Sequence, residues 1–353
     1  MDFCDVLVVG LGPAGGAAAL AAAEAGLRVV ALERRNEIGR PVQCAECVPA
    51  AMGRLVRRTG CEVQRVDAMQ TVLPSGASVE SPFRGIMIDR ARLDTGLAHS
   101  AEAAGAKLLT GWRFDGLDAA GGKVRCRSAQ GIREIACRLL IAADGPFSPV
   151  ADGLGLASQP VALARQITIP LMQPLARTEV YLSPDYPGGY GWLFPKGGTA
   201  NLGVGVAREA GHVLRVRLHD LHRRLAREGR VGGEILARTG GAIPVGGLRT
   251  KLVVGNVVFV GDAAGLTHPV TGAGIHPAVT SGEAAGRAAA RWLTGDRAAL
   301  EGYEAGMEEL FGPSLARALQ RRGELRGREG DEGALRRAWV AFPDYYRLDE
   351  VQA

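Results

Sequence analysis

No run of about eighteen apolar residues occurs in this sequence, so a membrane-spanning helix is not expected. The amino-terminal stretch MDFCDVLVVG enters a strand with no cationic segment or cleavage site ahead of it. The six cysteines, at 4, 44, 47, 61, 126 and 137, are scattered and do not form a framework. Together these features lead to the expectation of a cytoplasmic protein with reduced thiols. There is no internal repeat and no polar linker longer than a surface turn, which excludes solenoids and beads-on-a-string arrangements. At 353 residues the chain should form one large domain or two closely joined ones.

The net charge of +5 is not gathered into a patch. Arginines alternate with acids in LHDLHRRLAREGR and RRGELRGREGDEGALRRAW, as on solvated helix faces, and nucleic acid is not an expected partner.

What the sequence does have is glycine in particular places. In DVLVVGLGPAGGAAALAAAEAGLRVVALERR a short apolar run of the kind buried in parallel sheets leads into a small-residue helix. Between them lies Gly10-Leu11-Gly12-Pro13-Ala14-Gly15. Gly10 permits the tight turn, Gly12 leaves room for a pyrophosphate, and Gly15 lets helix and strand approach. The helix start then faces the phosphates. Glu33, 18 residues beyond Gly15, closes the next strand, where its carboxylate can accept from a ribose diol. A dinucleotide site follows, either NAD or FAD.

A second glycine-rich unit, VVFVGDAAGLTHPVTGAGIHPAV, puts Gly261-Asp262 at the end of a strand and runs through Pro269, Gly272, Gly274 and Ile275 into an Ala-rich helix. It resembles the flavoprotein class built like the aromatic hydroxylases, in which such an Asp contacts the ribityl chain of FAD. LLIAADGPFSPV resembles the Asp-Gly segment of that class at Asp144-Gly145. The Arg usual three residues past the Ser is replaced here by Ala151. In MIDRARLDTGLAHSAEAAGAKLL, Asp89 or Asp94 opens a helix with Leu93, Leu97 and Ala101 on one face, and Gly105 ends it. The resemblance puts Arg90, or else Arg92, against the FAD pyrophosphate.

Cys44 and Cys47 in RPVQCAECVP raise the question of a metal. Structural zinc needs four ligands, and no second close pair of Cys or His exists, so no metal is expected. The pair does not open a helix after the first strand, which fits a thioredoxin-like couple poorly, although a reducible disulfide stays open beside pocket lining.

The segment GRPVQCAECV resembles the geranylgeranyl reductase family, which has Gly-x-Pro-Val-x-Cys-Gly-Glu-Gly beside the flavin. Gly39, Pro41, Val42, Cys44 and Glu46 match, whereas Ala45 and Cys47 stand where the family has Gly, residues that resist a positive φ. YPGGYGWLFPKG matches the family's PxxYxWxFP pattern at Pro187, Tyr190, Trp192, Phe194 and Pro195. Alternation in a strand puts Tyr190, Trp192 and Phe194 on one face, able to line an apolar cavity.

The resemblance implies an α/β fold. A Rossmann-type FAD domain of the p-hydroxybenzoate hydroxylase kind would comprise 1–66, 85–160 and 245–300. An antiparallel-sheet substrate domain would comprise 67–84 and 161–244, with a helical segment over 301–353. It adds Arg34, Arg40, Pro41 and Val42 to the cofactor residues. It implies saturation of C=C bonds in a polyprenyl chain on a lipid, quinone or pyrrole headgroup. Cys44 is then the first candidate at the reacting face and Tyr190 the second, with Glu46 a helix cap or a proton source. Cys47, Trp192 and Phe194 join Cys44 and Tyr190 as substrate-lining residues. Electrons would come from NAD(P)H or a ferredoxin-like protein bound transiently, because no second GxGxxG appears. An apolar substrate implies peripheral contact with the inner face of the membrane. Two other activities share the flavin motifs: a monooxygenase of an aromatic or quinone compound, and a non-redox isoprenoid cyclase with structural FAD. A halogenase would carry a Trp-x-Trp-x-Ile-Pro segment, which is missing.

Overall fold

The computed structural model describes residues 2–118 and 122–347. Its helices are α1 (Pro13–Glu24), α2 (Gly53–Thr59), α3 (Arg90–Ala103), α4 (Pro149–Gly153), α5 (Leu214–Arg227), α6 (Ile275–Leu293), α7 (Ala299–Leu325) and α8 (Glu332–Ala338).

Two mixed sheets organise the chain. The first runs in the order Val253–Val254, Val257–Phe259, Gly131–Ala142, Asp2–Val9, Val29–Glu33 and Lys107–Thr110, and is parallel from Val257–Phe259 onward. Its central residues Val6, Leu7, Val8, Leu139, Leu140 and Ile141 are completely buried, which explains why they read as continuous apolar runs. Helix α1 packs beside α6 almost backbone to backbone: a Cβ on Gly282 would fall 2.1 Å from the Ala14 carbonyl oxygen. That close approach is what the alanines and glycines of both helices make possible.

The second sheet has the order Ala237–Pro244, Val161–Pro170, Thr199–Ala207, Tyr190–Lys196, Arg177–Tyr181, Glu62–Val72, Ser78–Ile88 and Cys47–Pro49. All its pairs are antiparallel except Arg177–Tyr181 with Glu62–Val72. Its strands extend beyond the expected 67–84, and Cys47–Pro49 adds an edge from within the expected flavin segment. The register of Glu62–Val72 against Ser78–Ile88 shifts between Glu62 and Gln64 and between Val66 and Ala68, so strict alternation fails near the start of that strand.

One face of this sheet is covered by α5, whose Leu214, Leu218, Leu221 and Leu225 pack on Ile167, Leu193, Leu202 and Val204. The arginines of α5 lie mostly outward, as the interleaved charges imply. The other face carries Trp192 and Phe194, so alternation along Tyr190–Lys196 sends Leu193 to one core and its neighbours to another. The carboxyl-terminal segment is helical as expected, beginning at Ala299. After α7 it folds back so that Leu335, Trp339 and Phe342 join Trp192 and Phe194 in a single apolar cluster. The expectation for 348–353 lies outside the described residues. No described helix is long and apolar enough to cross a membrane.

Candidate active site

A cavity of about 630 Å³ runs between the glycine-rich turns of the first sheet and the aromatic face of the second. At one end Gly12, Pro13 and Ala14 present the start of α1. The three glycines of the first motif divide their work as their spacing implies. Gly10 has φ +99°, and a Cβ there would lie 2.4 Å from the Ala143 carbonyl oxygen, so the turn admits no other residue. A Cβ on Gly15 would sit 1.8 Å from the Gly10 oxygen, whereas one on Gly12 would meet only Arg90 Nη2, at 3.7 Å. Gly12 therefore opens onto the cavity and faces a guanidinium, which suits a pyrophosphate between them.

Arg90, not Arg92, is the inward arginine. It lines the cavity with its Nε 2.8 Å from Asp94 Oδ1, while Arg92 is exposed beside Asp89, the cap of α3. Burial disfavours the Arg90 charge, but Asp94 and the Cys44 sulfur beside it more than offset this.

Across the cavity, Asp262 Oδ1 accepts from the Thr267 hydroxyl at 2.7 Å. Burial raises its pKa, and the Thr267 bond and the Arg90 charge oppose the rise. A Cβ on Gly274 would lie 2.7 Å from Thr267 Oγ1, so the glycine of the second motif leaves room for the Asp262–Thr267 pair. Pro269, Gly272 and Ile275 line the same end. Gly261 lies behind it with φ +57°, its missing Cβ facing Ala14.

Several expected cofactor residues have other positions. Asp144 is off the cavity wall: its Oδ2 accepts from the Val150 amide at 2.8 Å and caps α4, while its Oδ1 is buried without a partner. Burial pushes its carboxyl up to about 6. Ala143 and Gly145 line the cavity in its place. Glu33 uses both oxygens on backbone, accepting from the Leu11 amide at 3.1 Å and the Arg35 amide at 3.0 Å, and so braces the glycine turn. Arg34 and Arg40 are exposed, Arg40 paired with Glu37 at 2.9 Å. Arg35, which sequence reading missed, reaches back to the Pro41 carbonyl and to Gln43. The Val42 carbonyl accepts from Thr239 at 2.6 Å, fastening the cysteine-bearing loop to the second sheet.

That loop meets the aromatic wall at the middle of the cavity. Gln166 bridges them: its Nε2 donates to the Cys44 carbonyl at 3.0 Å and its Oε1 accepts from Trp192 Nε1 at 3.1 Å. Asn201 donates to the Ala45 carbonyl and, at 2.9 Å, to Glu46 Oε2. Of the two roles expected for Glu46, the geometry is that of the cap. Its Oε1 accepts from the Arg90 amide at the start of α3, and Lys196 Nζ lies 2.7 Å from Oε2. A buried carboxylate with three donors anchors the loop to α3 and to the second sheet. The left-handed backbone also falls at Glu46, with φ +67°, and not at Ala45 or Cys47. The departures from the family's glycines therefore cost the loop nothing.

Cys44 and Cys47 are both free thiols on the cavity wall. Burial raises the Cys44 thiol against the pull of Arg90, and pushes Cys47 up to about 12. Tyr190 is likewise raised by burial, with Cys47 nearby adding to it, and its hydroxyl donates to the Thr271 carbonyl. All three groups hold their protons at neutral pH.

Tyr190, Trp192 and Phe194 line the cavity as their alternation implies, and Gly203 leaves the space the Trp192 indole fills. Met69, Phe83 and Val180 extend this wall. Trp339 completes it, its ring edge-on to Tyr190 with centroids 5.0 Å apart. No local pattern in the sequence marks Trp339 as part of a site 149 residues from Tyr190.

A family model described as an FAD binding domain matches residues 3–169. A digeranylgeranylglycerophospholipid reductase of Methanopyrus kandleri is 34% identical over 346 residues, covering 91% of this chain and 86% of its own length. Another from Methanothermobacter thermautotrophicus is 35% identical, with 93% and 89% covered. Among solved structures, a geranylgeranyl bacteriochlorophyll reductase-like protein of Thermoplasma acidophilum superposes with a TM-score of 0.84 at 26% identity, covering 97% of this chain and 93% of that one. A probable FAD-dependent monooxygenase of Pseudomonas aeruginosa, 23% identical over 94% of this chain and 98% of its own, has a TM-score of 0.72 and shares the fold.

Proposed function

The chain belongs to the geranylgeranyl reductase family of FAD-dependent oxidoreductases, and from that membership we propose that it saturates C=C bonds in the polyprenyl chains of a membrane lipid. The observation that carries this reading is the continuity of the cavity, from the open face of Gly12 past the Cys44 loop to the wall of Tyr190, Trp192 and Phe194. Gly12, Arg90, Asp262 and the turn 269–275 are chemically suited to hold FAD: a bare amide cradle, a cation for pyrophosphate and a carboxylate for ribityl hydroxyls. Bound and reduced, FAD supplies a hydride to one carbon of the alkene.

The protein's share is alignment and a proton. An isolated alkene offers no carbonyl on which charge can rest, so the chain must be held straight and still. Trp192, Phe194 and Trp339 do this by excluding water along the wall. Cys44 holds a proton beside the Arg90 guanidinium and is the first candidate to deliver it to the second alkene carbon; Tyr190 is the second. Glu46 positions this loop by joining it to α3 and to Lys196. Cys47 lines the pocket. The electron donor, a nicotinamide or a ferredoxin-like protein, binds transiently. Because a prenyl lipid resides in a bilayer, the enzyme works as a peripheral protein, its surface arginines against anionic headgroups.

The test is anaerobic incubation of the FAD-loaded protein with dithionite and digeranylgeranylglyceryl phosphate, followed by mass spectrometry. A gain of two mass units for each reduced double bond supports the reading. Unchanged mass would favour a non-redox cyclase. Oxygen incorporation under air would favour a monooxygenase.

A further inference from the structure

The cavity contains a cation that the proposed chemistry leaves unused. Arg322, near the end of α7, lines the wall beside Gly188, Gly189 and Pro269. Of the other cations on the wall, Arg90 is paired with Asp94, and Arg165 is exposed to solvent. Arg322 forms no ion pair among the described residues. Its Nη1 donates to the Pro269 carbonyl at 3.1 Å, which satisfies one of its five N–H groups. Glu209 and Glu329 act on it from a distance, and burial lowers its pKa. Glu329 is itself engaged, accepting from the Gly188 amide at 3.2 Å.

The backbone at Gly188 runs beside this guanidinium. Gly188 has φ +66°, and a Cβ there would stand 3.5 Å from Arg322 Nη2. A half-buried arginine with no carboxylate in direct contact keeps N–H donors available for an anion. The same stretch leads directly into Tyr190, where the apolar wall begins, and Phe194 lies four residues further along the strand, roughly 13 Å away. Trp339 sits against Tyr190 at the boundary between the cationic and apolar ends. One end thus suits an anion and the other a hydrocarbon. Tyr346, exposed yet on the cavity wall, marks an opening to solvent.

We propose that Arg322 binds a phosphate on the substrate's headgroup, so that the enzyme selects anionic prenyl compounds and the prenyl chain runs from Arg322 past Tyr190 and Trp339 into the aromatic wall. This rests on the prenyl-reductase reading above. The phosphate belongs either to a glycerolipid or to a free prenyl phosphate, since a guanidinium recognises both.

The test measures quenching of tryptophan fluorescence in FAD-loaded wild type, R322Q and R322K. The ligands are geranylgeraniol, geranylgeranyl phosphate and digeranylgeranylglyceryl phosphate, in detergent below its micelle threshold. Gln keeps a donor for Pro269, and Lys keeps the charge. Wild type should bind the phosphates at least tenfold more tightly than the alcohol, R322Q should bring that ratio near one, and R322K should restore part of it. Tighter binding of the glycerolipid identifies a lipid headgroup, and tighter binding of geranylgeranyl phosphate a free phosphate. Three results overturn the inference while leaving the reductase reading intact: equal wild-type affinity for alcohol and phosphates, equal weakening of all three ligands in R322Q, or a shifted flavin midpoint potential with discrimination retained. Failure of wild type to bind any of the three removes the reductase reading, and this inference with it.

Discussion

Trp339 Nε1 donates to Thr71 Oγ1 at 3.0 Å, tying the carboxyl-terminal segment to a strand of the substrate sheet 268 residues earlier. Thr71 is completely buried, so this hydroxyl has no water to fall back on. Replacing Trp339 with Phe keeps much of the packing and removes the bond, at a cost of about 1 kcal/mol. Trp339→Ala also empties the space against Tyr190 and should cost about 3–5 kcal/mol, with a raised KM for prenyl substrates. Urea denaturation of both variants separates the two contributions; equal losses would mean that the packing is unimportant.

Glu46 joins three elements: the start of α3, Lys196 and Asn201. Glu46→Ala leaves Lys196 without its partner and α3 without its anchor, and should destabilise the protein by about 3–5 kcal/mol. FAD should be lost on gel filtration, because Arg90 is the residue whose amide Glu46 holds. Glu46→Gln keeps acceptor and shape and should lose less. A stable, yellow Glu46→Ala protein would refute the anchoring role.

The glycines can be separated by substitution. Gly10→Ala places a Cβ against backbone at φ +99° and should prevent folding. Gly274→Ala places one against the Thr267 hydroxyl, which can move, so the protein should fold while FAD affinity falls at least tenfold as the Asp262 pair is disturbed. Circular dichroism and equilibrium dialysis with FAD distinguish these outcomes.

His268 carries a pH dependence. Burial lowers its pKa to about 4 from the ordinary 6.5, while its Nδ1 accepts from the Thr271 amide and its Nε2 meets the Tyr345 hydroxyl. The unfolded chain binds this proton below 6.5 and the folded chain only near 4. Stability is therefore full above 6.5 and falls as pH drops towards 4, by about 3 kcal/mol from this residue. His268→Asn should flatten the profile of thermal unfolding in that window; an unchanged slope would show that the imidazole titrates normally.

Cys44 and Cys47 should alkylate slowly. Burial raises both thiols, Cys47 to about 12, so little thiolate exists at pH 8. Iodoacetamide labelling of native protein, mapped by mass spectrometry, should quicken as pH rises above 9. Rapid labelling at pH 7 would instead indicate an activated thiol.

The parts legible in the sequence are those whose chemistry is local. Gly10 and Gly15 answer steric demands made by the neighbouring strand and by the turn itself, Gly12 stands where the turn opens onto the cavity, and a turn of this kind leaves a fixed spacing. Tyr190, Trp192 and Phe194 share a face because a strand alternates, wherever that strand lies. The pairing of Glu46 with Arg90, Lys196 and Asn201 carries no such spacing, since its partners arrive from three separate elements. The strand Glu62–Val72 carries two register shifts near its start, where strict alternation therefore fails.

Composition and motif spacing were enough to specify a strand–turn–helix cradle for a dinucleotide and an aromatic stripe, because backbone sterics and side-chain alternation act over a few residues. Folding was needed to turn Asp144 away into a helix cap, to select Arg90 over Arg92, and to bring Trp339 and Arg322 from the far end of the chain onto the cavity wall. Burial and long-range packing are properties of surfaces meeting in space, and a linear string carries no record of which surfaces will meet.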